Sequence, residues 1–251
     1  MEKQTAMGLF ARLDQLNRIG AALSRERNIE RLLENILEAA KALTGADGGT
    51  LYSVTEDRSA LRFEIMRTDS LGIRLGGTTG KAIDLPDLPL RRADGSPNDA
   101  LVAAHAALHG RAVNIADAYT AEGFDFSGTR AFDQRTGYRS QSFLTVPMTD
   151  HQGELIGVLQ LLNALDPGTG EVVAFSSADQ SLSESLASQA AIALSNRLLI
   201  TQLERLFESF VKLINIAIDE KSPYTGGHCE RVPELTMMLA EAVDATTTGP
   251  L

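Results

Sequence analysis

The chain has no tryptophan and a single cysteine, Cys229, among its 251 residues. One cysteine excludes an intrachain disulfide and is typical of proteins from a reducing compartment. No apolar run reaches the ~18 residues that a membrane helix needs, and the longest candidate, around 190–200, contains Ser195, Asn196 and Arg197. The N-terminus carries charges where a signal peptide is apolar. The sequence therefore predicts a cytoplasmic protein with no membrane partner.

Basic residues are also too few for a surface that binds polyanions. The chain has 23 Lys and Arg against 33 Asp and Glu, which gives a net charge of -10. Nucleic acids need clustered cations to meet their phosphates, so we expect no nucleic-acid partner. Hydrophobic residues make up 43% of the chain, which is enough for a folded core.

Hydrophobic periodicity predicts two helices in the first ~45 residues, with Asn28 as the N-cap and Gly45 as the C-terminal stop. Alternation and β-branched residues predict strands at 50–54, 61–66, 112–115, 142–148 and 155–163. Short helices are predicted at 100–109 and 127–135, and 71–99 is predicted to be a long irregular loop.

From residue 177 to residue 220 the sequence contains neither Gly nor Pro, which favours a long connecting helix or coiled coil. Apolar residues recur at alternating steps of four and three, and a polar Asn in such a seam commonly fixes register and dimer state. We expect a homodimer through this helix and the N-terminal helix; the alternative is that the helix packs on its own domain. The predicted seam comprises Leu186, Ala193, Asn196, Ile200, Leu203, Phe207 and Phe210.

The second half of the folded region resembles a GAF domain, a small-molecule sensing and dimerisation module. The segments that carry this resemblance are 114–119, 124–125, 136–140, 142–148 and 153–163. The resemblance spans roughly 28–197 and implies an α+β fold, a GAF/PAS-like antiparallel sheet flanked by helices. It implies four parts: an N-terminal dimerisation helix (1–27), a sensor domain (28–180), a connecting helix (181–220) and the start of a further domain (221–251).

The GAF resemblance also implies a pocket for a small molecule or nucleotide, walled by 71–99 and 112–138. Cyclic-nucleotide-binding relatives carry an Asn-Lys … Phe-x-x-x-Asp-Glu pattern whose Lys and Asp form a salt bridge. Ala164 and Gln180 replace the Lys and the Glu, so that bridge cannot form. A nucleotide pocket and a structural remnant both remain open. The candidate ligand-binding residues are Asp117, Thr136, Ser142, Asn163, Phe175 and Asp179.

A short stretch, 217–232, resembles the opening of an HD-GYP-type HD domain. That resemblance implies a metal-dependent phosphohydrolase, in many relatives one that acts on cyclic-di-GMP, with Fe or Mn as the divalent metal. His228 matches the family's first metal-ligand histidine. The His-Asp dipeptide of the family is absent, so we expect this chain to be catalytically incomplete and to hold no cofactor itself. The alternative function is a structural dimerisation GAF domain with no ligand.

His105 and His109 stand four residues apart within a predicted helix, so their side chains share one face. That spacing suits a metal ion or places an imidazole toward a haem. Since the sequence indicates no third ligand, the prediction is two exposed or pocket-edge histidines.

Overall fold

The computed structural model describes residues 2–220 and 228–245. The chain divides into two compact units, Met1–Arg197 and Leu198–Leu251. The helices are α1 (Glu2–Leu23), α2 (Ile29–Thr44), α3 (Val102–His109), α4 (Ser127–Thr136), α5 (Ser177–Glu220) and α6 (His228–Asp244). The strands are β1 (Ala46–Val54), β2 (Ala60–Thr68), β3 (Ile73–Gly76), β4 (Leu88–Pro89), β5 (Val113–Ile115), β6 (Phe143–Thr149), β7 (Leu155–Leu165) and β8 (Val172–Val173).

The strands form one antiparallel sheet in the order β3-β2-β1-β7-β6-β5, with β4 paired to β2 and β8 paired to β7. The central strand β1 pairs along its length with β2 on one side and β7 on the other. Helices flank this sheet, and a long helix follows it. The predicted fold class is therefore confirmed.

One face of the sheet packs against a helical layer. Alternate residues of the central strands, such as Leu51 of β1 and Leu159 of β7, have no exposed surface and lie in this core. The helices contribute Ile36 and Leu37 of α2 and Leu186 of α5, all fully buried. These helices are amphipathic, as their hydrophobic periodicity predicts.

Both predicted ends of α2 are confirmed. The Asn28 side chain accepts a hydrogen bond from the Arg31 backbone N–H at 2.8 Å, which is the N-cap arrangement. Gly45 has a φ of 67°, the left-handed conformation that favours glycine, and its N–H bonds to the Lys41 carbonyl.

Two strand predictions need correction. The segment 71–99, predicted as an irregular loop, contains β3, a 3-10 turn at Gly77–Thr79 and β4. These short strands pair at the β2 edge and are at most half-buried, so they lack the alternation that marks a strand. The strand predicted at 50–54 begins earlier, at Ala46, because pairing with β2 and β7 overrides the weak strand preference of Gly48 and Gly49.

The predicted seam on α5 has two environments. Leu186 and Ala193 are buried in the core of the first unit, which also contains Leu16 and Leu23 of α1. From Asn196 onward the seam is exposed: Ile200 by 46%, Leu203 by 64%, Phe207 by 68% and Phe210 by 58%. The domain boundaries and the dimer remain predictions.

Within the described residues, none of the helices is both long and apolar enough to span a membrane.

Candidate functional site

A groove of about 420 Å³ lies over the edge of the sheet at β2 and β3. Met66 of β2 lies on the face opposite the helical layer, because its neighbour Ile65 belongs to the helix-side core. We call this feature the edge groove. Its lining comprises Met66, Gly72, Ile73, Arg74, Leu75, Lys81, Ala82, Ile83, Asp84, Leu85, Phe132 and Arg135.

The edge groove carries three cationic side chains and one carboxylate. Arg74 lies 3.6 Å from the Glu38 carboxylate, whereas Lys81 and Arg135 form no ion pair with any residue of the described chain. The Arg135 guanidinium lies 5.9 Å from the centre of the Phe132 ring. Two cations without an ion-pair partner in the described chain, one of them beside an aromatic ring, suit a small anion that carries a planar ring.

Both segments expected to wall a ligand pocket contribute to the edge groove. Residues 72–75 and 81–85 come from the first, and Phe132 and Arg135 of α4 come from the second. None of the six candidate ligand-binding residues is among the lining residues. The sequence gives no indication of Arg135, because arginines are common on exposed helices. Only the fold shows that this one lines the edge groove.

Two of the candidate residues, Ser142 and Asn163, meet where β6 pairs with β7. Asn163 is 2% exposed, and its Oδ1 accepts hydrogen bonds from the N–H groups of Gln141 at 2.7 Å and Ser142 at 3.2 Å. Its Nδ2 donates to the Arg139 carbonyl at 2.8 Å. The Ser142 hydroxyl accepts from the Ala164 N–H. These contacts join the two strands, and a ligand-binding role for either residue stays a prediction.

Asp117 precedes α4 by ten residues, and Thr136 is the last residue of α4. The Asp117 carboxylate accepts the Tyr119 N–H at 2.8 Å and lies 3.6 Å from the Arg139 guanidinium. The Thr136 hydroxyl donates to the Phe132 carbonyl at 2.8 Å. Both side chains therefore have partners within the protein, and their ligand-binding role also stays a prediction.

The structure shows two buried carboxylates that sequence reasoning missed. Asp133 accepts hydrogen bonds from the Ser140 N–H and hydroxyl and from the Tyr119 hydroxyl. Asp47 accepts from the Tyr138 hydroxyl at 2.6 Å. Burial, reinforced by this carboxylate, raises the pKa of Tyr138. The partners of Asp47 are distant in sequence, so no local pattern could indicate the pair.

Phe175 and Asp179 lie away from the edge groove. Phe175 is 4% exposed and belongs to the helix-side core. The Asp179 carboxylate accepts the Ser176 N–H at 3.0 Å, while the Ser176 hydroxyl accepts the Asp179 N–H at 3.2 Å. This reciprocal pair is a capping box at the start of α5. Asp179 also lies 3.1 Å from the guanidinium of Arg12 of α1.

The two histidines of α3 share a carboxylate. His105 Nδ1 lies 3.0 Å and His109 Nε2 lies 2.7 Å from the same oxygen, Oδ1, of Asp99. The hydrogen bond from His109 is the main cause of a lowered Asp99 pKa. Both histidines are partly exposed, as predicted, and lie outside the edge groove. Sequence analysis missed Asp99 because this residue precedes α3. The four-residue spacing that relates the two histidines applies only within the helix.

His228, the predicted metal ligand, begins α6, but its side chain lies outside the described residues. Nothing in the structure tests its role.

Comparisons with known proteins place these features in a family. The Dual 3',5'-cyclic-AMP and -GMP phosphodiesterase 11 of Drosophila melanogaster is 40% identical over 65 residues, 26% of this chain and 4% of that protein. The Dual 3',5'-cyclic-AMP and -GMP phosphodiesterase 11A of Takifugu rubripes is 30% identical over 115 residues, 46% of this chain and 12% of that protein. The matched segments thus span a small part of both relatives.

The fold has solved counterparts at low sequence identity. The GAF domain of a phosphoenolpyruvate-protein phosphotransferase from Coxiella burnetii superposes with a TM-score of 0.57 at 16% identity, covering 77% of this chain and 98% of that chain. Residues 28–194, more than half of the chain, match the sequence profile described as GAF domain. The chain therefore belongs to the GAF domain family.

Proposed function

We propose that this chain is the ligand-sensing and dimerising part of a metal-dependent phosphohydrolase. In this proposal a small phosphate-bearing molecule binds the edge groove and regulates an HD-GYP-type domain, a cyclic-di-GMP phosphodiesterase. The observation that carries the proposal is that two cations of the groove lining, Lys81 and Arg135, have no ion-pair partner within the described residues, and that Arg135 lies beside the Phe132 ring.

The dimensions and lining of the edge groove support a ligand of nucleotide size. Its volume of about 420 Å³ falls within the ~300–1,000 Å³ of typical small-molecule pockets. A guanidinium group such as that of Arg135 binds phosphate oxygens with charge-assisted hydrogen bonds. The exposed part of the Phe132 ring offers a surface on which a base can stack.

Two relatives favour cyclic nucleotides as the first ligands to test. Both are named as phosphodiesterases of cyclic AMP and cyclic GMP. The resemblance of 217–232 to HD-GYP-type domains adds cyclic-di-GMP. These three molecules share a phosphodiester and a purine, which are the two groups that Arg135 and Phe132 would contact.

The long helix α5 supports a regulatory role. It begins at the capping box of the sensor domain and continues to Glu220, so its last turn overlaps the stretch 217–232 that resembles a phosphohydrolase domain. A ligand regulates only if it binds two arrangements of this helix with different affinity. We propose that the edge groove provides that difference.

Replacing Arg135 by glutamine should weaken nucleotide binding by about tenfold or more, because a hydrogen bond to a charged group contributes ~1.5–3 kcal/mol. Isothermal titration of the purified chain with cyclic GMP, cyclic AMP and cyclic-di-GMP measures this loss. Arg130→Gln is the matched control, since Arg130 lies on the same helix, outside the groove lining, 5.7 Å from the Tyr119 ring. Its affinity should equal that of the unmodified chain.

The alternative is a structural dimerisation GAF domain without a ligand, which the exposed apolar part of the predicted seam on α5 favours. If none of the three nucleotides binds at millimolar concentration while the chain is dimeric, this alternative replaces the sensing proposal.

A further inference from the structure

We propose that Asp99, His105 and His109 form a binding site for one divalent transition-metal ion. The three candidate ligand atoms lie within 4.8 Å of one another. Ligands of a tetrahedral zinc ion, each ~2.0–2.1 Å from the metal, are about 3.3 Å apart. The two imidazole nitrogens lie 3.0 and 2.7 Å from the carboxylate oxygen, which is close to that separation.

The donor set selects the class of metal. Two imidazoles and a carboxylate are typical ligands of Zn²⁺ and of the neighbouring divalent ions Co²⁺, Ni²⁺ and Fe²⁺. Ca²⁺ and Mg²⁺ prefer oxygen ligands throughout. Three protein ligands also leave at least one position for water or for a small ligand, since the cluster is partly exposed: Asp99 and His109 by 47% and His105 by 33%.

Packing fixes the three residues without a metal. The His105 and His109 rings lie on one face of α3, 4.3 Å apart, while Ala103, Ala104 and Ala107 of the same helix are buried on another face. The Phe124 and His105 rings make an edge-to-face contact, with their centres 5.3 Å apart. Hence the helix and its neighbours hold the two imidazoles in place.

The segment that carries Asp99 is also held by its backbone. The Ala100 carbonyl accepts the Asp125 N–H at 2.8 Å, and the Asn98 carbonyl accepts the Leu101 N–H at 3.3 Å. A carboxylate on this segment therefore has a defined position relative to α3. Such preorganisation lowers the cost of assembling a metal site.

A simpler explanation is that Asp99 only accepts hydrogen bonds from two imidazole N–H groups. In that role the cluster would stabilise the start of α3 and would take up no metal. The two explanations differ in one measurable property, which is metal binding with one-to-one stoichiometry. The proposed metal site does not depend on the edge groove, because none of its three residues lines it.

The test is a titration of the purified chain with Co²⁺, followed by the visible absorption of the bound ion, and then displacement by Zn²⁺. We expect one equivalent per chain. Asp99→Asn, His105→Gln and His109→Gln should each lower the affinity at least about tenfold, since loss of even a supporting partner of a metal ligand costs 10–100-fold. Zn²⁺ should raise the midpoint of thermal unfolding of the unmodified chain more than that of His109→Gln at the same Zn²⁺ concentration.

The other two histidines of the chain provide the controls. His151→Gln changes an exposed turn between β6 and β7, and the double variant His228→Gln/Cys229→Ser removes the fourth histidine and the single cysteine. Both should bind Co²⁺ as the unmodified chain does. An unmodified chain that binds neither ion would overturn the proposal. So would binding that survives in His109→Gln but is lost in the double variant.

Discussion

Replacing Leu203 and Phe207 together by glutamate should convert the chain from a dimer into a monomer. These side chains are 64% and 68% exposed and belong to the stripe that steps by four and three along α5. Burial of each such side chain in a dimer contributes ~1.5–3 kcal/mol, and two glutamates per helix would add repulsion between the copies. We expect the dimer dissociation constant to rise more than about a hundredfold, or ~2.7 kcal/mol.

Size-exclusion chromatography with light scattering measures the mass of both forms at micromolar concentration. Gln202→Glu/Ser209→Glu is the matched control, because it adds the same charge at two exposed positions beside the stripe. That variant should remain a dimer. The dimer proposal would be wrong if the unmodified chain had a monomer mass, or if the Leu203/Phe207 variant kept the dimer mass.

Asn163→Ala should lower the free energy of unfolding by about 3–5 kcal/mol. The change removes three hydrogen bonds and leaves the N–H groups of Gln141 and Ser142 without their acceptor; each unsatisfied buried group costs ~1–3 kcal/mol. It also places alanine at a φ of 54°, in the left-handed region that costs most residues ~1–2 kcal/mol and that Asn tolerates better. Chemical denaturation measures the loss.

Two further variants separate the causes. Asn163→Gly removes the hydrogen bonds without the backbone strain, so it should be about 1 kcal/mol more stable than Asn163→Ala. Asn114→Ala, at an exposed asparagine of β5, should cost less than about 1 kcal/mol. An Asn163→Ala chain as stable as the unmodified one, but unable to bind nucleotide, would instead assign Asn163 to the ligand, as the family pattern predicts.

The sequence predicted the parts of the fold that depend on local signals. The cap at Asn28 and the stop at Gly45 depend on hydrogen bonds to residues three or four positions away in the chain. The bounds of α5 follow from the absence of Gly and Pro. The short strands β3 and β4 could not be predicted from local sequence, because each forms by pairing with β2, which the chain pattern of so few residues does not indicate.

The candidate site was less predictable, because its residues come from separate elements. Arg135 and Lys81 are brought together by the fold and not by a motif. Asp99 completes a ligand set whose histidines were recognised from their helical spacing. The family pattern at Asn163 and Asp179 predicts ligand contacts, and those stay predictions. The structure shows a hydrogen-bonded strand junction at Asn163 and a helix cap at Asp179.

The close approach of α1 and α5 limits how α5 can move. The Gln189 side chain occupies the space beside Gly20 of α1, where any Cβ atom would collide with it, and Leu186 fills the core one turn before. A shift of α5 by one residue would be a translation of ~1.5 Å with a rotation of ~100°, which would put a smaller neighbour, Ser185 or Ala187, in the place of Leu186. A change of register would therefore leave a cavity in the core at this part of α5. The packing of α5 therefore favours a change in the direction of the helix over a change in its register.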